Sequence, residues 1–436
     1  MNKVLLSSAL ALACAAVLGG CSGKAKFEPS QQAGNDPTLP KLENYLIPPM
    51  QVPHYAGWKD DQTPQVAQGL KIEKIAGDLM HPRNVYVLPN DDVLVVESNG
   101  PGAEPITTPK QLIANKVKDL SGKGAKGGNR ITLLRRDPTT GKWERHIFIE
   151  HLHSPFGVAL VGNWLYVANT DGVVKFPYVT GETQITAPAI PFADLPPYLN
   201  HHWTKDMVAS ADGSKLYVGV GSNSNITENG LPVEYRRANI LEIEVATGAS
   251  RIYASGIRNP TGLSFDPQTG KLFAVANERD EIGADLVPDY LTSVKEGAFY
   301  GWPFSYYGQH VDPRAQPQRP DLVATAIKPD YSIGSHVAPL GVLVTDSNGL
   351  PAQYQNGAFI SEHGSWDRSP LSGYQVVFVP FKDGMPSGKP EPVVTGFYSK
   401  DESKLYGAPV GLIADKEGAL LIADDVGNSV WRVTKQ

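Results

Sequence analysis

The sequence predicts an all-β protein, a six-bladed β-propeller, and three observations carry that expectation. A segment recurs six times, each copy reads as two short strands joined by a tight turn, and no helical stretch of useful length separates the copies. Internal repetition marks a modular fold. Four-stranded blades stacked around an axial channel are its antiparallel form.

Each copy opens on a proline or an equivalent start, follows an apolar strand to a turn rich in Asp, Gly or Asn, and returns along a second apolar strand. Four copies are close: Pro82 to Asn99, Pro155 to Asn169, Pro260 to Asn277 and Pro409 to Asp424. Two are looser, Asp206 to Gly221 and Pro339 to Ser361. Turns such as Ala211-Asp212-Gly213-Ser214 make each copy a hairpin, half of a blade. The Pro-x-Gly end begins the innermost strand, so the residues just before it are expected at the channel mouth. Insertions interrupt the blades at Gly100 to Gly128, Asn223 to Arg237 and Glu278 to Pro320. Loops of that kind are functional or decorative, and the Gly- and Lys-rich first one fits either reading.

Composition agrees. The 43 glycines and 36 prolines among 436 residues exceed a usual combined share of roughly 12% without collagen periodicity, so turns abound. With 41% hydrophobic and 19% charged residues, the chain is neither disordered nor a coiled coil. A net charge of −6 without long like-charged blocks argues against nucleic acid as a partner.

The N-terminus reads as an export signal over residues 1–20: Lys3, an apolar run from Val4 to Leu18, then small residues. Leu18-Gly19-Gly20-Cys21 resembles the lipobox of bacterial lipoproteins, in which Cys21 becomes the lipidated N-terminus; an ordinary cleaved signal is the alternative. Cys14 departs with the signal, so the mature chain keeps Cys21 alone, which excludes disulfides, thiol catalysis and thiolate metal sites. Residues 21–67 read as a lipidated, Pro-rich tether and 68–436 as the propeller. The expected location is the bacterial cell envelope, membrane-anchored and facing the periplasm, with inner and outer membrane both open.

Several residues could carry chemistry at the mouth. His201-His202 precede the third copy, as a general base or as hydrogen-bonding filler. Arg258-Asn259 precede the fourth, as an anion clamp or an inter-blade bridge. Asn277 to Asp285 is an acidic loop that suits Ca²⁺ or simply solvent. Phe299 to Pro303 could floor a flat ligand or pack a blade. His336 and His363 are expected to point inward, as cofactor ligands or as structural histidines. No nucleotide loop, hydrolase elbow or zinc-protease motif occurs.

The runs His201-His202-Trp203-Thr204-Lys205, Val220 to Asn225, Arg258-Asn259-Pro260, Asn277 to Asp280, Tyr300 to Pro303 and Asp424 to Asn428 resemble, over Gln68 to Lys435, the quinoprotein sugar dehydrogenases, most nearly their sorbosone branch. The resemblance implies pyrroloquinoline quinone (PQQ) over the mouth with Ca²⁺ bound to it. It implies His202 as base, Arg258 and Asn259 on the quinone, and Ca²⁺ near Asp280 and Glu281. The late Arg-x-Arg of the soluble glucose enzyme is replaced by Leu405-Tyr406-Gly407-Ala408, and its quinone-binding lysine falls at His363. His363, Lys205, Arg279 and Arg368 are therefore the expected substitutes for its cations. The implied substrate is an aldose or sugar-derived aldehyde, with electrons leaving to a quinone or a cytochrome. A Ca²⁺-dependent lactonase and a non-enzymatic propeller binding a glycan or a protein are the other two readings.

Overall fold

The computed structural model describes residues 24–43, 50–101, 116–197 and 201–436. Cys21 and the export signal lie outside the described residues. The fold is the expected six-bladed propeller. Its innermost strands are Pro82–Val87, Gly157–Val161, Met207–Ala209, Pro260–Phe265, Pro339–Thr345 and Pro409–Ala414. They are the first strands of the six repeated hairpins, and each pairs antiparallel with the second strand of its copy. The ring closes in the sixth blade, where Leu70–Ala76 pairs antiparallel with Ser429–Lys435.

A blade in such a ring has a neighbour on both faces, which is why strands such as Val93–Glu97 and Leu272–Ala276 are buried throughout and lack a polar side. Six cores fill the six junctions. Ala159, Leu216 and Leu241 belong to the core between blades two and three, and Val275, Ile333 and Val377 to that between blades four and five.

The recurring Pro-x-Gly has a steric cause. A Cβ on Gly157 would lie 2.5 Å from the Met207 nitrogen, and one on Gly341 2.4 Å from the Val410 carbonyl; only glycine lets adjacent inner strands approach that closely. The first blade carries Asn84 instead, whose Nδ2 donates across the axis to the Phe156 carbonyl at 3.2 Å and to Asp206 at 3.3 Å. Phe156, Leu340 and Val410 plug the channel beneath Trp203. Below them a cavity of about 310 Å³ is lined by all six inner strands.

Residues 24–43 and 50–67 do not behave as the expected tether. Ala33–Gly34 adds a fifth strand to blade four and Gln65–Val66 one to blade five. The physical reason is that Pro and polar residues satisfy exposed sheet edges as readily as they populate a free linker. Trp58 is the strongest contact. Its Nε1 donates to Asp424 at 2.6 Å, where the Trp431 indole and the Ala408 and Gly427 amides also donate. Its ring packs edge-on against Phe397 and Trp431. Replacing Trp58 with Ala should therefore cost about 3 kcal/mol in a denaturant melt, and Trp58→Phe about half of that, because it keeps part of the ring packing while losing the hydrogen bond to a carboxylate.

Candidate functional site

Strands of the inner ring begin at one end of the channel, and the loops that join second to third strands rise at the same end. The blades therefore deliver side chains to a single mouth. A chain of contacts runs around it. Arg83 of blade one lies 2.5 Å from Asp425 of blade six. Asp425 lies 3.0 Å from His363 of blade five. From the same loop as His363, Asp367 reaches 3.3 Å from His336, which lies 3.6 Å from Asp280 of blade four. Asp280 lies 3.6 Å from Arg258, and the charge of Arg258 acts on His202. Trp203 then returns to Arg83, whose guanidinium stacks 5.5 Å from its ring and 5.9 Å from that of Phe156. The chain closes on itself above the apolar plug.

Two charged groups dominate. In the first, burial alone would raise the Asp425 carboxyl, yet His363, His81 and Arg83 hold it well below the usual carboxylate range. Burial pushes His363 down to about 4, against Asp425 and with the help of Lys123, so the imidazole is neutral. Lys123 is lowered to about 8, again by burial. It comes from the Gly- and Lys-rich insertion and donates to the Gly364 carbonyl and the Tyr374 hydroxyl, both at 3.1 Å.

In the second group, the ligand atoms of Asp280, His336 and Asp367 lie within 4.8 Å of one another. Burial works against a charge on His336, but Asp367 and Asp280 outweigh it and raise the imidazole to about 10. Asp367 Oδ1 is buried and accepts no hydrogen bond among the described residues.

Between the groups stands His202. Its Nδ1 lies 2.8 Å from the Ser222 carbonyl, which fixes the proton there and leaves Nε2 as the basic atom. Burial, then Arg258, lowers its pKa well below 6.5. Gly221 is what lets the neighbours close up, since a Cβ there would sit 2.5 Å from that of His202 and 2.3 Å from Asn259 Oδ1. Arg258 is held rigid by the Asn225 and Glu278 carbonyls at 3.2 and 2.7 Å and by Asn225 Oδ1 at 2.9 Å.

The structure thus brings together His202, Arg258, Asn259, Asp280, His336 and His363, and separates the rest of the expected set. Arg279 is sealed behind the mouth between Glu278 and Asp312, with its Nη2 donating to the Ser305 carbonyl at 2.7 Å. Neighbours in an extended segment point to opposite sides, so the one that faces the mouth is Asp280. Lys205 turns back to cap the His202 and Trp203 carbonyls at 3.1 and 3.0 Å, bracing the segment that carries the base. Arg368 holds the Phe27 carbonyl at 3.0 Å. The Asp280 carbonyl, expected as a main-chain metal ligand, accepts from Asn225 and Arg314 at 3.2 and 3.1 Å; its carboxylate faces the cluster instead. Glu281 is not part of the cluster, and its charge acts on Asp367. Tyr300 and Trp302 pack between blades, with the Trp302 indole donating to the Asn225 carbonyl at 3.1 Å.

Sequence reasoning missed Arg83, Lys123, Asp367 and Asp425. Arg83 stands inside a repeat copy, where it reads as strand pattern, and Asp425 lies one residue past the last copy, within a run that carries the family resemblance but no assigned role. Arg83 and Asp425 are ionisable residues one position from a repeat boundary, a signal that could have found them; Asp367 and Lys123 carry none.

The residues fit both implied groups. PQQ is flat and bears carboxylates, and Arg83, Lys123 and Arg258 converge over aromatic side chains. Ca²⁺ takes oxygen ligands, and Asp280 and Asp367 offer carboxylates, one buried oxygen of which accepts no hydrogen bond among the described residues.

This defines a class: ring propellers in which each blade contributes to one polar mouth over an apolar floor. The chain belongs to the TrAA12-like family, whose model matches residues 64–289 and 311–436. It is 28% identical over 293 residues, 65% of this chain and 76% of the other, to an uncharacterized protein of Borreliella burgdorferi. Among solved structures it resembles a calcium structure of Trichoderma reesei Carbohydrate-Active Enzymes Family AA12 (TM-score 0.69, 18% identity, 89% of this chain and 99% of that one). The holo form of the pyranose dehydrogenase PQQ domain from Coprinopsis cinerea gives a TM-score of 0.68 at 18% identity, covering 88% and 100%. The apo form of the soluble aldose sugar dehydrogenase of Escherichia coli gives 0.56 at 16%, covering 84% and 100%.

Behind the second group, burial raises Asp289 to about 7 and Glu362 to about 8. Glu362 therefore keeps its proton in the fold when the unfolded chain, with an ordinary carboxyl near 4.3, has released it. Its stabilising effect is complete below that pH and is lost as pH rises towards 8, by up to about 1.4 kcal/mol per pH unit. Glu362→Gln should match the parent at pH 4 and melt at a higher temperature at pH 8, as thermal denaturation at the two pH values will show.

Proposed function

We propose that the protein is a quinoprotein dehydrogenase, dependent on PQQ and Ca²⁺, that oxidises an aldose or a sugar-derived aldehyde of the sorbosone kind. In this reading it is a lipoprotein of the bacterial cell envelope, anchored through Cys21, and passes electrons to a quinone or a cytochrome. The observation that carries the reading is the ring of contacts at the mouth, where a neutral imidazole stands beside a fixed guanidinium and a carboxylate cluster. The pyranose dehydrogenase PQQ domain, solved in its holo form, and the soluble aldose sugar dehydrogenase are named for PQQ or for sugar oxidation, which supports it.

PQQ, when bound, supplies the acceptor for the two electrons and the hydrogen that leave the substrate carbon as hydride. The chain does the rest. His202 Nε2 takes the proton of the anomeric or aldehyde-hydrate hydroxyl, and it is free to do so because burial and Arg258 keep the ring neutral. Arg258 cannot rotate away from its carbonyl partners, so its charge is already in place for negative charge developing on oxygen. Arg83 and Lys123 would hold carboxylates at the far side of the mouth. Asp280 and Asp367 would hold the metal. Trp203 and Phe156 keep water from the floor.

Adding PQQ with Ca²⁺ to the purified protein should produce a quinone absorbance that a sugar bleaches; no change at saturating cofactor would refute the assignment. His202→Ala should lower kcat by about 10²–10⁴-fold and leave quinone affinity intact. Arg83→Met should instead weaken quinone binding in the same titration.

A further inference from the structure

We infer that the rim around the channel mouth is the face of the protein that meets the lipid bilayer. The inference rests on the lipoprotein reading of Cys21. Were residues 21–67 a flexible leash, their typical reach of roughly 40 Å would let the propeller present any side to a membrane. The docked strap removes that freedom. Ala25 donates from its main-chain nitrogen to the Ser369 carbonyl at 2.9 Å, and Lys26 likewise to Asp285 at 2.6 Å. The Phe27 carbonyl accepts from Arg368 at 3.0 Å, and the Gln32 carboxamide donates to the Asp285 carbonyl at 2.5 Å. Asp285 and Ser369 both stand on mouth-side loops, 277–287 and 363–374.

Only four residue steps separate Cys21 from Ala25. A fully extended chain gains at most about 3.6 Å per residue, which keeps the lipidated residue within roughly 14 Å of the rim. After a detour down the outer edge of blade four, the strap is back on that rim, with Glu43 bonded to the Ile282 carbonyl, Gln51 to that of Trp366 and His54 to that of Ser403. Tyr55 and Tyr235 are exposed there by 50% and 78%, as suits residues with an apolar body and a tip that tolerates water, and the apolar Met80 by 42%. The turns at Asp137 to Gly141 and Asp266 to Gly270 lie at the opposite end of the blades. A redox partner dissolved in the bilayer would reach the mouth without the propeller turning over.

The test uses the lipidated full chain on vesicles containing spin-labelled, quenching phospholipid. The mature protein has no cysteine besides Cys21, so Tyr235→Cys on the rim and Gln268→Cys on the far turns each take one fluorophore. The rim probe should be quenched severalfold more than the far probe. A long Gly-Ser insertion between Ser22 and Lys24 should erase the difference. Equal or reversed quenching of vesicle-bound protein would overturn the orientation alone. Failure of the parent to float with vesicles, or flotation of Cys21→Ser as well, would overturn the anchor and the orientation with it.

Discussion

Everything at the mouth depends on closure of the ring. The last blade is completed by Leu70–Ala76, a strand from the opposite end of the chain, hydrogen-bonded along Ser429–Lys435. Joining segments so distant in sequence costs loop-closure entropy that grows only slowly with length, and in return no blade has an uncovered face. Because the ring closes, the six inner strands must share one axis, and the residues that begin them share one mouth. An open stack of the same blades would leave Arg83 and Asp425 at opposite ends of the molecule.

Closure also forces charge together. Buried ions persist only when paired and hydrogen-bonded, and the mouth meets that condition with two alternating groups: Asp425 among Arg83, His81 and His363, and His336 between Asp280 and Asp367. The result is a polarised site, since the same burial that enforces pairing leaves His202 and His363 neutral while His336 is charged. Three histidines of ordinary intrinsic basicity are driven to different protonation states by neighbours a few ångströms away.

The N-terminal strap joins the two themes. It covers sheet edges on blades four and five, and Trp58 completes the donor set around Asp424, one residue from the carboxylate that organises the first group. Strap, closing strand and site therefore form a continuous structure, so loosening the strap would be felt at the mouth.

The hairpin repeat, the position of each inner strand and the mouthward placement of His202, Arg258 and His336 were legible in the sequence, because turn chemistry and strand alternation are local and Pro-x-Gly reports crowding at the axis. Arg83, Asp367, Asp425 and Lys123 were not, since nothing local distinguishes an arginine that faces a carboxylate five blades away from one that faces solvent. Likewise Arg279 and Asp280 are adjacent letters, and which of them faces the mouth depends on the course of a loop held by Asn225, Arg314 and Asp312. By itself, the sequence determined the ring and the side of it on which chemistry gathers, through short-range sterics and periodicity. Only the tertiary structure decided which charges meet, because burial and Coulomb pairing act between residues that the chain separates by hundreds of positions.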